Sequence, residues 1–241
     1  MSLRRVHLPP ERIGASRAEL TDQARHYLGH VLRLQPGEVV ELFDGRGAAW
    51  DATILPGFAG LELGARRATA PGGPALSLLL ALAKGEKLEL VVQKATELGV
   101  ARIVPFAAER SVVQLDAEKG EARAVRWRRI AEEAARQCGR SDLPEVAAPT
   151  TLAAALAALP PGARLVVLHG EGGSPLGALG LEGAPAVAAV VGPEGGLTEA
   201  ELATCQAAGA LRGRLGPRTL RAESAAVAVV AVLQALVGDL R

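Results

Sequence analysis

Aromatic residues are scarce: only 2% of the 241 residues are Phe, Trp or Tyr. Any core must therefore be built from Ala, Leu and Val, and a hydrophobic content of 49% is enough to supply one, so disorder is not implied. A dominant charge is also missing. The formal net charge is +1, which excludes an overall polyanion-binding surface and leaves room only for local basic patches. Cysteine is limited to Cys138 and Cys205, far apart in the chain. Such usage suits a reduced, cytoplasmic protein and not a disulfide scaffold. The stretch MSLRRVHLPPERIG lacks the apolar centre of a signal peptide, and the apolar run Ala225–Val237 is too short to span a bilayer, so no membrane association is expected. Asparagine is absent and arginine greatly outnumbers lysine, a pattern shared by heat-adapted proteins and GC-rich genomes. There is no internal repeat, and low complexity is confined to alanine-rich linkers such as TTLAAALAALPPGA.

What remains is a two-part pattern. In the first seventy residues, VVELFDGRGAAWDATIL (Val39–Leu55) predicts two strands around the turn Asp44-Gly45-Arg46-Gly47, and LELGARRA predicts another. TDQARHYLGHVLRL predicts a helix capped by Thr21 that ends before Pro36-Gly37. ATAPGGPA (Ala68–Ala75) is small and rich in Pro and Gly and separates two patterns, which sets expected domains at 1–70 and 75–241. Beyond it strands and helices alternate. LSLLLALA reads as a strand buried on both faces, KLELVVQKATELG as a helix with a glycine end, ARIVPFAA as a strand and GEARAVRWRRIAEEAARQCGR as a long helix. On that helix Trp127, Ile130, Ala131, Ala134 and Cys138 form an apolar stripe. This alternation predicts a mostly parallel α/β sheet.

Three of the predicted strands run into unusual turns: LHGEGG (Leu168–Gly173), GPEGG (Gly192–Gly196) and LGPRTLRAES (Leu215–Ser224). In open α/β sheets ligands bind beyond the carboxyl ends of strands, and glycine lets a ligand approach the backbone. GPEGG has neither the lysine and spacing of a phosphate loop nor the dinucleotide fingerprint, and its carboxylate would repel a phosphate. Thr198 and Glu201 form a capping-box signature just after it. A single glycine turn is as readily a plain connection as a site; three together favour a site.

GPEGGLTEAE followed by LGPRTLRAESA resembles the SPOUT class of RNA methyltransferases, and within it the family that methylates N3 of a uridine in small-subunit (16S) ribosomal RNA. The resemblance covers nearly the whole chain. HYLGHVLRLQPGEVVELFDGRG is similar to that family's N-terminal RNA-binding barrel, and KGEKLELVVQKATELGV and RWRRIAEEAARQCGRSDLPEV to its middle motifs. One departure is local: the first strand reads Arg5-Val6-His7 where the family usually carries an aromatic. The resemblance implies an α/β fold, a SPOUT-type trefoil-knotted parallel sheet preceded by a small PUA-like β-barrel. It also implies a homodimer whose interface adjoins the cofactor site, and S-adenosylmethionine bound bent among the three turns. The residues expected at the cofactor are Leu168, His169, Gly192, Pro193, Gly195, Gly196, Leu215, Gly216, Leu220 and Arg221. For His169 only the backbone is required there. Glu194 either holds its loop or faces the site.

Uridine N3 carries a proton and must lose it to become a nucleophile, so the site needs a base or a positive charge that stabilises the anion. In LRAES, Glu223 could accept the proton and Arg221 could stabilise the anion. Glu223 could equally be a first-turn carboxylate favoured by the helix dipole. A stacked base is out of reach, so the target uridine must be unpaired or extruded. Expected phosphate contacts are Arg4, Arg5, Arg33 and Arg46, then Lys94, Arg136 and Arg140, with Arg129, Arg136 and Arg140 spaced along one helix face; for any one of them a solvated charge is the plainer alternative. His26 and His30 lack further ligands at metal spacing, so no metal is expected. Cys138 is expected in the core, and Cys205 has no evident His partner. The helix from Ala222 to Val237 is apolar nearly all round and needs cover on every side, which a partner subunit could supply. Two other functions stay open: a related SPOUT enzyme acting on transfer RNA, and a non-catalytic RNA-binding protein of ribosome assembly.

Overall fold

The structure is a computed structural model that describes residues 4–68, 73–83, 86–111, 117–170 and 172–240. The chain divides into two compact units. One holds residues Met1–Ala70 with Glu132–Leu143, the other Pro71–Ala131 with Pro144–Arg241. Residues 69–72, the middle of the expected boundary, lie outside the described residues, as does Glu171 in the first glycine turn.

The first unit carries β1 (Arg5–His7), β2 (Arg17–Ala18), α1 (Asp22–His26), β3 (Val39–Phe43), β4 (Ala48–Ile54) and β5 (Leu61–Ala68). They form one five-stranded sheet in the order β1-β3-β4-β5-β2, antiparallel except where β1 joins β3. The expected hairpin is present, with Val39 opposite Thr53 and Phe43 opposite Ala49. Gly45 and Gly47 hold φ of 73° and 97° in its turn, a region that glycine enters at little cost. Thr21 caps α1 by accepting the Ala24 N–H at 3.1 Å, as its sequence position predicts. The helix then widens into a π-turn over Tyr27–Val31. Val6, Leu8, Leu28, Leu42 and Ile54 are among the residues that fill the interior.

Arg5 corrects one expectation. It was expected to contact phosphate, but it is fully buried. Its guanidinium pairs with Glu41, donates to the carbonyls of Ala135 at 3.0 Å and Arg140 at 2.8 Å, reaches Ser141 Oγ at 3.1 Å and lies over the Phe43 ring. Each of its three nitrogens has an acceptor inside the unit, which is the condition for burying a guanidinium. The Glu132–Leu143 segment is thus tied to β1 through Arg5.

The second unit carries β6 (Ala75–Ala81), α2 (Lys87–Glu97), β7 (Arg102–Ala107), α3 (Ala117–Cys138, whose last turns belong to the first unit), β8 (Glu145–Val146), β9 (Thr150–Thr151), α4 (Leu152–Ala157), β10 (Arg164–Leu168), β11 (Ser174–Pro175), β12 (Ala186–Val191), α5 (Glu199–Ala207), β13 (Leu211–Arg214) and α6 (Ala222–Val237). All strand pairs are parallel, in the order β11-β13-β10-β12-β6-β7-β8, with β9 also on β7. Side chains along the central strands alternate between two cores, as a sheet covered on both faces requires. Leu78, Leu80, Val166, Val187 and Ala189 face α2, α3 and α6, while Leu79, Val167, Ala188 and Val190 face α4 and α5.

Two further expectations are corrected here. The alanine-rich stretch read as a linker contains α4, because Thr151 accepts the Ala154 N–H at 3.2 Å and Leu152, Ala155 and Leu156 make a buried face. Cys138 is exposed, because it is the last residue of α3, where Gly139 turns the backbone to φ 90°, and the buried stripe ends with Ala134 and Ala135. Among the described residues no helix is long and apolar enough to cross a membrane.

Candidate cofactor cavity at the strand ends

The strand order decides where the site lies. β13, β10 and β12 are parallel neighbours, so their carboxyl ends emerge side by side: Leu168 pairs with Gly213, and Val167 with Val190. The turns that follow them line a half-open cavity of about 240 Å³. Eight of the ten residues expected at the cofactor line it: Leu168, His169, Gly192, Pro193, Gly196, Leu215, Gly216 and Leu220. Val191, Leu197, Ala222 and Ala225 add apolar wall, and Gly170, Gly213, Arg214 and Arg218 extend the turns. Of these, Val191, Leu197, Gly213, Arg214 and Ala225 lie outside the three turns picked out from the sequence, flanking them in the chain.

The second and third turns are shaped by local causes. Gly196 adopts φ 72° and returns its N–H to the Pro193 carbonyl at 2.8 Å, a tight reversal that a side chain would strain. A side chain on Gly192 would start 3.0 Å from Leu197, so the turn closes against the core. Gly216 also adopts φ 72°. The reversal at Gly196 leads straight into α5 through a complete capping box, Thr198 with Glu201. Glu201 also accepts the Glu109 N–H at 2.9 Å.

Gly195 and Arg221 stand apart from the cavity lining. The Gly195 carbonyl accepts from Arg110 Nη1 at 2.9 Å, and a side chain on Gly195 would meet Arg110. Arg221 is the exposed N-cap residue of α6, its carbonyl taking the Ala225 N–H at 2.8 Å.

Glu194 does both things expected as alternatives: it lines the cavity, and Lys87 Nζ donates to its Oε1 at 2.5 Å. That hydrogen bond, then one from its own backbone, keeps the Glu194 carboxyl below the ordinary carboxylate range, and the same bond raises Lys87. Lys87 also stands 3.8 Å from Glu223 Oε2, a buried oxygen with no hydrogen-bond partner among the described residues. Lys87 and Arg110 escaped the sequence reading. The one visible sign was a lysine at the start of a predicted helix, where the helix dipole disfavours it.

The expected phosphate contacts differ in availability. Arg33 and Arg46 are exposed and carry no ion pair among the described residues. Arg4 pairs with Glu38 at 2.5 Å, Lys94 with Glu97 at 2.9 Å and Arg140 with Asp142 at 2.6 Å. Arg136 lies over the Tyr27 ring at 4.0 Å, and Arg129 is exposed. His26 and His30 stack at 4.9 Å.

Comparison with known proteins bears on this arrangement. A family profile described as RNA methyltransferase domain matches residues 72–234, and one described as RNA methyltransferase PUA domain matches residues 20–56. The ribosomal RNA small subunit methyltransferase E of Synechocystis is 35% identical over 96% of this chain and 77% of its own. The crystal structure of the protein of that name from Neisseria gonorrhoeae, bound to S-adenosylmethionine, superposes with a TM-score of 0.89 at 32% identity, covering 99% of this chain and 100% of that one. A methyltransferase of Legionella pneumophila, solved with the same cofactor, gives 0.88 at 32% identity over 98% of both chains.

Fold and cavity together define a SPOUT-class RNA methyltransferase, a parallel sheet with an N-terminal PUA-like barrel, as the resemblance implied. More narrowly, the chain belongs to the ribosomal RNA small subunit methyltransferase E family.

Proposed function

We propose that this protein methylates N3 of a specific uridine in 16S ribosomal RNA, using S-adenosylmethionine, as a cytoplasmic homodimer. The observation that carries the reading is the convergence of three turns from adjacent parallel strands on one cavity. The cavity fits the cofactor. Its apolar wall of Leu197, Leu215, Leu220 and Ala225 suits an adenine face, and glycines at 170, 192, 196, 213 and 216 bring backbone polar groups to its surface. Its volume lies just under the roughly 300–1,000 Å³ usual for ligand sites. When bound, S-adenosylmethionine supplies an electrophilic methyl group on a sulfonium.

The chain's own groups handle the acceptor. The Glu223 carboxylate, partly exposed, takes the proton from uridine N3, and the electron pair left on N3 becomes the nucleophile. The exposed Arg221 guanidinium and the first turn of α6 place positive charge where that anion develops. Residues 1–70 act as the RNA-binding domain, with the exposed Arg33 and Arg46 as cations for phosphate, and residues 75–241 as the methyltransferase domain. Support for the dimer comes from α6, where Val232 is exposed beside Ala231 and Ala235 on an apolar face.

The test mixes purified protein and S-adenosylmethionine with unmodified small ribosomal subunits and, separately, with bulk transfer RNA. The RNA is then digested to nucleosides for mass spectrometry. The expected product is 3-methyluridine from the subunits alone, reduced about 10²-fold by Glu223→Gln. Methylation of transfer RNA instead, or of neither RNA, contradicts the proposal.

A further inference from the structure

Lys87 sits where stability alone would not put it. It is the first residue of α2, at the amide end of a helix that favours anions, and Arg221 adds repulsion. Two carboxylates offset this cost: Glu194 at 2.5 Å and Glu223 at 3.8 Å. They come from different places in the chain. Glu194 belongs to the turn after β12, and Glu223 to the first turn of α6, beyond the turn that follows β13. One ammonium therefore ties together two of the three segments that build the cavity. The contact with Glu194 is a hydrogen bond, while 3.8 Å to Glu223 is an ion pair only. Glu223 Oε2 is thus held near a positive charge and still lacks a hydrogen-bond donor. A buried carboxylate oxygen in that state is costly and calls for a reason.

We propose that Lys87 is a positioning residue for methyl transfer. It pins the GPEGG turn through Glu194, and the same ammonium, beside the buried Oε2, orients the Glu223 carboxylate to take the proton that departs from the acceptor nitrogen. The proposal rests on the reading of the cavity as a methyl-donor site. It gives Glu194 a purpose: the carboxylate in the turn keeps Lys87 from closing onto Glu223 and quenching it.

Two measurements on the full-length protein test it. In hydrogen exchange without any ligand, Lys87→Met is expected to speed exchange of the Gly196 amide about threefold to fivefold, the scale of an exposed ion pair. In methyl transfer to small subunits, the same variant is expected to lower kcat about tenfold with the KM for RNA unchanged, the signature of a misplaced group. Lys87→Arg is expected to restore most of both, and Glu194→Gln to reproduce the exchange effect. Wild-type exchange and kcat in Lys87→Met overturn the proposal. So does a raised KM for RNA with unchanged kcat, which makes Lys87 a phosphate contact. Should the wild-type protein neither bind S-adenosylmethionine nor transfer methyl, the functional reading fails, and hydrogen exchange still decides whether Lys87 pins the turn.

Discussion

A guanidinium out of contact with water needs its nitrogens met within the protein, and Arg5 meets this condition through one carboxylate, two carbonyls and a hydroxyl. Removing it takes a donor from the carbonyls of Ala135 and Arg140. Arg5→Leu is expected to cost about 2–4 kcal/mol in urea unfolding of the full chain, while a similar change at exposed Arg33 costs little; equal effects at both positions contradict the account. The two thiols differ for a related reason. Burial, then the Glu201 charge, pushes the Cys205 thiol up to about 11, so it stays protonated and unreactive at neutral pH. Cys138 is exposed. A thiol reagent at neutral pH is expected to modify one cysteine per native chain and two after unfolding; fast modification of both in the native state contradicts this. Neither Arg5 nor Cys138 was legible from the sequence. Arg5 read as a surface charge and Cys138 as core, because local spacing reports a helix stripe but not where the packing partner ends.

Elements were easier to read. Thr21, Thr151 and Thr198 each cap a helix in the structure. Two of these were predicted from sequence, because a cap is a contact between residues three apart. The third was missed where alanine repetition hid a short amphipathic face on α4. Thr198 carries the transition from the GPEGG turn into α5, so Thr198→Ala is expected to lower stability by about 1 kcal/mol. Hydrogen exchange at the α5 amino end should rise with it. An unchanged unfolding midpoint with unchanged exchange shows that the capping box does not hold this turn.

At the scale of the whole molecule, the long apolar strands were legible; the short strands β2, β8, β9 and β11 and the strand order were not. The apolar runs of β6, β10 and β12 mark buried strands, but nothing local says that β12 lies between β6 and β10 or that β13 lies beyond β10. That order is non-local; the resemblance implied only that the three turns converge. It is also what makes a site of three separate turns. Gly170 offers a direct probe. It lines the cavity, its φ is not in the left-handed region, and a side chain there would begin in open space with nothing within 4 Å. Gly170→Leu should therefore fold normally while filling the cavity. The decisive measurement is a calorimetric titration of S-adenosylmethionine into both proteins. The account predicts one site per wild-type chain and at least a roughly tenfold loss of affinity in Gly170→Leu, with an unchanged unfolding midpoint. Equal affinity in the two proteins, or no binding to the wild type, would contradict it.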